Sequence, residues 1–235
     1  MLTTTPRFLL ARLREALHWR PAPTDGDGIK SAAITQARFV VVDVETSGLD
    51  TRCDRLLSIG AVAVEAGAIR PMESIELVLR QSVESGHDNI LLHGISGGQQ
   101  RAGLPPAEAL ELFSAFANAA PLVAYHADFD RQFLARAMRN TPGAHQRWEW
   151  IDVAWLAPAL LDQLIVQRSL DDWCAAYGIS HVARHNAVSD AFATAELLLI
   201  LLARASGKGI RNVGELRDCA DDARRLARLE LPLGV

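Results

Sequence analysis

A run of β-branched apolar residues, FVVV at residues 39–42, ends in Asp43, Val44 and Glu45 before a polar TSGLD segment. Its β-branched composition and short length predict a buried central strand over residues 38–45. Two more apolar stretches follow, LLSIGAVAVEAG at 56–67 and AIRPMESIELVLR at 68–80, with a hairpin expected near residues 66–68. The sheet therefore opens with three antiparallel strands. After a Gly-containing stretch the period changes. PPAEALELFSAFANA has helical spacing with Pro at its first turn, and it runs into the short apolar segment PLVAY. The alternation repeats, with helices expected around FDRQFLARAMR, 154–161, 170–177 and 188–204, and an apolar run at 150–153. Three strands followed by alternating helices and strands define an α/β fold, a mixed sheet flanked by helices.

At the N-terminus, Phe8, Leu9, Leu13, Ala16 and Leu17 lie at helical spacing, and RPAPTDGDG then supplies breakers. Residues 1–35 thus read as an amphipathic helix and linker, 36–206 as the main domain, and 207–235 as a charged amphipathic helix with a short apolar tail. With 235 residues, 49% of them hydrophobic, one sizeable core is expected. A formal charge of −4 argues against a wholesale polyanion binder and leaves room for a local basic surface or bound cations. Cys53, Cys174 and Cys219 are odd in number and widely spaced, which suggests neither a disulfide framework nor a thiolate zinc site. Arg12, Arg14 and Glu15 interrupt the N-terminal apolar stretch, and no other run reads as a membrane span. A soluble protein of the reducing cytoplasm is the expectation.

Candidate chemistry starts from the pair at the end of the first strand. Side chains alternate along a strand, so Asp43 and Glu45 project from one face, side by side. Close carboxylates repel and need compensation. Asp128 and Asp130 stand where the PLVAY strand gives way to a helix, a kind of junction that commonly builds sites. In ARHNAVSDAFATAELLLILL, Ala187, Ala191 and Thr194 make a small-residue face for close packing on a sheet, and Asp190 falls on that inward face, five residues after His185. Acids from separate segments at the margin of an apolar core suit divalent metal ions, which offset about four negative charges with two cations.

The segments VDVETSG, HADFD and HNAVSDA resemble the three motifs of the DEDD exonuclease superfamily, the group that includes the proofreading epsilon subunit of bacterial DNA polymerase III and ribonuclease T. They occur in the expected order and contexts over roughly residues 38–202. The resemblance implies a ribonuclease H-like fold and a 3′-to-5′ exonuclease. Asp43, Glu45, Asp130 and Asp190 would bind two Mg²⁺ or Mn²⁺ ions, and His185 would be the general base of the histidine-type branch. It also selects Asp130 over Asp128, since the second motif ends in Phe-Asp. Thr46, Ser47 and Leu49 are expected at the terminal nucleotide, with His93 of LLHGIS, Tyr125, His126 and Phe129 also on the substrate side. Tyr125 and His126 depart from the usual His-Asn of the second motif, which bears on substrate preference. Asp152 resembles a recurrent family acid, and helix capping accounts for it equally well.

The implied substrate is a 3′ end of single-stranded DNA, with RNA or short oligoribonucleotides as the alternative and a non-catalytic nucleic-acid or replication-partner module as a third reading. A DNA polymerase is an implied partner, and RLELPL in the tail faintly resembles a sliding-clamp-binding peptide with Arg228 in place of the usual Gln. The terminal helices read first as packing elements, against the domain or in a homodimer.

Overall fold

The computed structural model describes residues 26–141, 148–161, 168–180 and 183–230. The helix expected over residues 6–20 and the tail beyond residue 230, which holds the second half of RLELPL, lie outside them. Three strands open the fold: β1 (Arg38–Thr46), β2 (Leu56–Glu65) and β3 (Ala68–Val78). β1 pairs antiparallel with β2, and β2 with β3. The β2–β3 hairpin turns at Ala66 and Gly67, both at positive φ (51° and 71°), the geometry whose twist matches that of the flanking strands. β4 (Leu122–Ala124) and β5 (Trp150–Asp152) add in parallel, giving the sheet order β3-β2-β1-β4-β5. The mixed sheet expected from the sequence is present, with β1 at its centre.

That central place explains the apolar run. Phe39 and Val41 face one core layer with α6 (Val153–Leu160), α7 (Leu170–Tyr177) and α8 (Ala187–Gly207). Val40, Val42 and Val44 face the other, with α4 (Pro106–Ala117) and α5 (Ala127–Arg139). A strand covered on both faces is apolar at nearly every position. In β3 the register with β2 slips after Val62, which pairs with Ser74 while Ala63 pairs with Arg70. Residues 71–73 bulge outward there, and Met72 is 90% exposed.

α8 lies across β1 and β2, and its approach is fixed by a glycine. A Cβ on Gly60 would stand 2.2 Å from the backbone carbon of Ala187. Only hydrogen at that position admits the first turn of α8 so close to the sheet.

Three short helices were not expected. α2 (His87–His93) and α3 (Gly97–Ala102) occupy the Gly-containing stretch, and α1 (Gly26–Ser31) occupies the end of the expected N-terminal linker. Each is under two turns, too short to show a helical period. Caps hold two of them. Gly94 takes the left-handed conformation after α2, and Ser96 with Gln99 forms a capping box on α3. α1 leads into a junction with the C-terminal part, where Ala33 bridges Asn212 and Val213 N–H donates to Ala32 at 3.0 Å. The last helix, α9 (Val213–Glu230), packs on α6, β5 and α1, so this charged amphipathic helix covers the domain. Among the described residues, no helix is long and apolar enough to cross a membrane.

Candidate active site

β1 delivers Asp43 and Glu45 to one face at the end of the strand where its pairing with β2 becomes irregular, between Glu45 and Thr46. α8 brings Asp190 on its first turn to the same place. One carboxylate oxygen from each of Asp43, Glu45 and Asp190 fits in a group whose members all lie within 4.8 Å of one another. This group lines a cavity of about 300 Å³ together with Tyr125, His126, Ser169, Leu170, Arg184 and His185. The turn into α8 is built for its cargo. His185 adopts the left-handed region at φ 57°, its backbone N–H donates to Asp190 Oδ2 at 3.1 Å, and Asn186 caps the helix by accepting from Ser189 N–H at 3.0 Å.

Asp130 is 3% exposed and enters from α5. It stands outside the compact group of three, but its charge is the strongest ionic influence on Asp43. The backbone N–H groups of Asp130 itself and of Val44 partly offset the effect of burial on its carboxyl. Desolvation pushes the Asp43 carboxyl well above its usual range, and Asp130, Glu45 and Asp190 push it in the same direction. Desolvation and Asp190 raise Glu45 to about 7. Asp130 is raised chiefly by burial. Opposing them, the guanidinium of Arg184 lowers both Asp43 and Glu45. The donor set is oxygen only and carries excess negative charge, which fits hard divalent cations.

The other expected site residues fall into two groups. Tyr125 and His126 line the cavity. The Tyr125 hydroxyl donates to the Arg168 carbonyl, and its ring meets that of His126 edge-on at 4.9 Å. His126 is exposed and sits at φ 61°, at the junction between β4 and α5. Leu49 is 84% exposed on the loop after β1, and the half-buried Phe129 stacks tilted on Phe133 at 4.9 Å. Thr46 and Ser47 are engaged with the loop itself: Thr46 Oγ1 donates to the Gly48 carbonyl at 2.7 Å, and Ser47 Oγ donates to Asp54 Oδ1 at 3.0 Å.

His93 is buried rather than facing the cavity, at 4% exposure. Its Nδ1 accepts from Ile95 N–H at 2.9 Å, so Nε2 carries the proton and donates to Asn89 Oδ1 at 2.9 Å. Asn89 in turn donates to the Thr46 carbonyl at 2.9 Å. Its connection to the site is thus through a second side chain. Asp128 pairs with Arg131 at 2.6 Å and with Arg224 of α9, away from the acidic group. Asp152 caps α6, and its Oδ1 accepts from Ala154 N–H at 3.0 Å and His126 N–H at 3.1 Å. Sequence reading missed Arg184 and Asn89. The one local signal was the position of Arg184 immediately before His185.

An exonuclease family model matches residues 40–198 of this chain. The DNA polymerase III PolC-type of Thermotoga maritima is 29% identical over 185 residues, covering 79% of this chain and 13% of the polymerase. A DNA polymerase III subunit epsilon-like protein of Rhodobacter capsulatus is 31% identical over 179 residues, covering 75% of this chain and 25% of that protein. The chain therefore spans only a minor part of these relatives. Among solved structures, E. coli exonuclease I in complex with a dT13 oligonucleotide superimposes with a TM-score of 0.61 at 20% identity, over 73% of this chain and 42% of that one. Exonuclease X in complex with 5′ overhanging duplex DNA gives a TM-score of 0.60 at 18% identity, over 77% of this chain and 99% of that one. The fold is the ribonuclease H-like fold of these nucleases, its three acidic motifs meet at the end of β1, and the chain belongs to the exonuclease family of the DEDD superfamily.

Proposed function

We propose that this protein is a metal-dependent 3′-to-5′ exonuclease that hydrolyses the terminal phosphodiester of single-stranded DNA. The observation that carries the proposal is the meeting of Asp43, Glu45 and Asp190 within 4.8 Å, beside His185 and with buried Asp130 near enough to raise Asp43. Asp43, Glu45, Asp130 and Asp190 would hold two Mg²⁺ or Mn²⁺ ions. When bound, such ions acidify a water and offset the charge of the leaving oxygen.

The remaining work falls to the chain's own groups. A ring nitrogen of His185 accepts the proton from the attacking water, a role suited to imidazole at neutral pH. Exposed Leu49 and half-buried Phe129 offer apolar surface on which the terminal base of an unpaired end can stack, which favours a single strand. The dT13 oligonucleotide bound by exonuclease I supports the single-stranded reading, and the polymerase names of the relatives support proofreading or repair as the setting.

The test is digestion of matched 5′-labelled single-stranded DNA and RNA with Mg²⁺ or Mn²⁺, comparing wild type with Asp130→Ala. The expected result is a descending ladder on DNA that chelator or the substitution abolishes, with rate losses of about 10²-fold or more. A ladder on RNA alone would move the substrate to oligoribonucleotides. Folded wild-type protein that binds metal and cuts neither would defeat the enzymatic reading.

A further inference from the structure

Among the described residues, Arg184 is the arginine that lines the acidic cavity. Arg184 Nε meets Asp171 Oδ1 at 2.7 Å and its Nη2 meets Asp171 Oδ2 at 3.0 Å, a fork-to-fork pair anchored in the first turn of α7. The remaining edge is directed the other way. Nη1 donates to Asp190 Oδ2 at 2.7 Å, the same oxygen that receives the His185 backbone N–H. The guanidinium side chain is about one-third exposed, so its charge acts on the acids through a partly desolvated path. Both Asp43 and Glu45 respond to it.

We infer that Arg184 is a resident counter-cation of the acidic site, locked in place by Asp171, which competes with divalent ions for Asp190 and sets the metal concentration at which the site fills. This rests on the metal-dependent reading above and adds a residue to it. Two of the three donor contacts go to Asp171 rather than to the acidic group. The guanidinium therefore stays beside the cavity when Asp190 turns to another cation, and the Nη1 edge it frees faces the space where a phosphodiester enters. Arginine suits both tasks because its donors form a rigid fork and its charge persists at every working pH. The arrangement moderates repulsion among the carboxylates and then offers the released N–H to an anionic substrate.

The consequence is an opposed pair of effects that simple damage to the fold does not produce. In Arg184→Gln, Mn²⁺ binding followed by calorimetry on the full chain is expected to tighten by roughly tenfold, because a positive charge next to the ions has gone. At saturating Mn²⁺ the same variant is expected to show a KM for single-stranded DNA raised by roughly tenfold with a smaller change in kcat. Arg184→Lys keeps the charge and loses the fork, so its metal affinity should stay within about twofold of wild type while its KM rises. In the Arg184→Gln background, Asp171→Asn should add nothing to KM.

Metal affinity that is unchanged or weaker in folded Arg184→Gln overturns the inference, as does an Arg184→Lys variant that binds Mn²⁺ like Arg184→Gln. Failure of the nuclease reading is separately visible, since wild-type protein would then bind no Mn²⁺ or produce no ladder whatever residue 184 is.

Discussion

At Glu45 the physics of the site reduces to one carboxyl that holds its proton up to about pH 7 because it is desolvated next to Asp190. Asp43 and Asp130 are shifted in the same direction. The folded chain therefore binds more protons than the unfolded chain between the ordinary carboxylate range and about pH 7, and the sign follows by linkage. The contribution of these acids to stability is present in full at low pH and is lost as pH rises through that window. In chelator, the melting temperature of wild type should fall more between about pH 5 and about pH 7.5 than that of Glu45→Gln, and added Mn²⁺ should flatten the difference. Parallel melting profiles for the two proteins would contradict this account. Asp43 and Glu45 could be paired from sequence because i and i+2 share a strand face, and Asp190 could be placed on the inward face of its helix from its small neighbours, whereas Asp130 and His185 were singled out only by the family resemblance. The Arg184–Asp171 fork was not legible, because it joins a loop to a helix thirteen residues away whose approach depends on tertiary packing.

Among the elements, the meeting of α8 with β2 decides whether the site exists at all. Asp190 reaches Asp43 and Glu45 only because Gly60 lets the first turn of α8 lie against the sheet. Gly60→Ala would place a methyl within 2.2 Å of the Ala187 backbone, where no flexible side-chain end can yield. The expected cost is about 1–3 kcal/mol in urea unfolding. Mn²⁺ affinity should fall as well, because the helix that moves carries a carboxylate. A variant with unaltered metal binding would show that α8 can be displaced without opening the site. The long elements were legible in the sequence: the buried run of β1, the small-residue face of α8 and the period of α5 each repeat often enough to be read. α2 and α3 were not, since their stability comes from caps at Gly94 and Ser96 and from a buried network around His93 rather than from a repeating apolar face.

Across the whole molecule, the sheet has two edges that are treated differently. β5 is three residues long and lies under α9. β3 is eleven residues long and presents its outer side to solvent for much of its length, with the bulge of residues 71–73 in its middle. The mixed sheet followed from three antiparallel strands leading into alternating helices and strands, whereas the strand order was not set by the sequence, and the one local sign of the bulge, Pro71 inside the third apolar stretch, was missed. Its consequence concerns other copies of the chain. An unpaired strand of that length is a template on which a second chain can add by backbone hydrogen bonding. Pro71 lacks the N–H such a ladder requires, and within the bulge Met72 is exposed to solvent while Glu73 reaches back to pair with Arg38 of β1 at 3.4 Å. Deleting residues 71–73 should therefore leave the acidic cavity intact while producing concentration-dependent self-association in light scattering. A variant that stays monomeric at high concentration would mean that the charged side chains along β3 are a sufficient guard by themselves. A second strand laid along the outer edge of β3 would meet, at Pro71, a residue that has no N–H to donate.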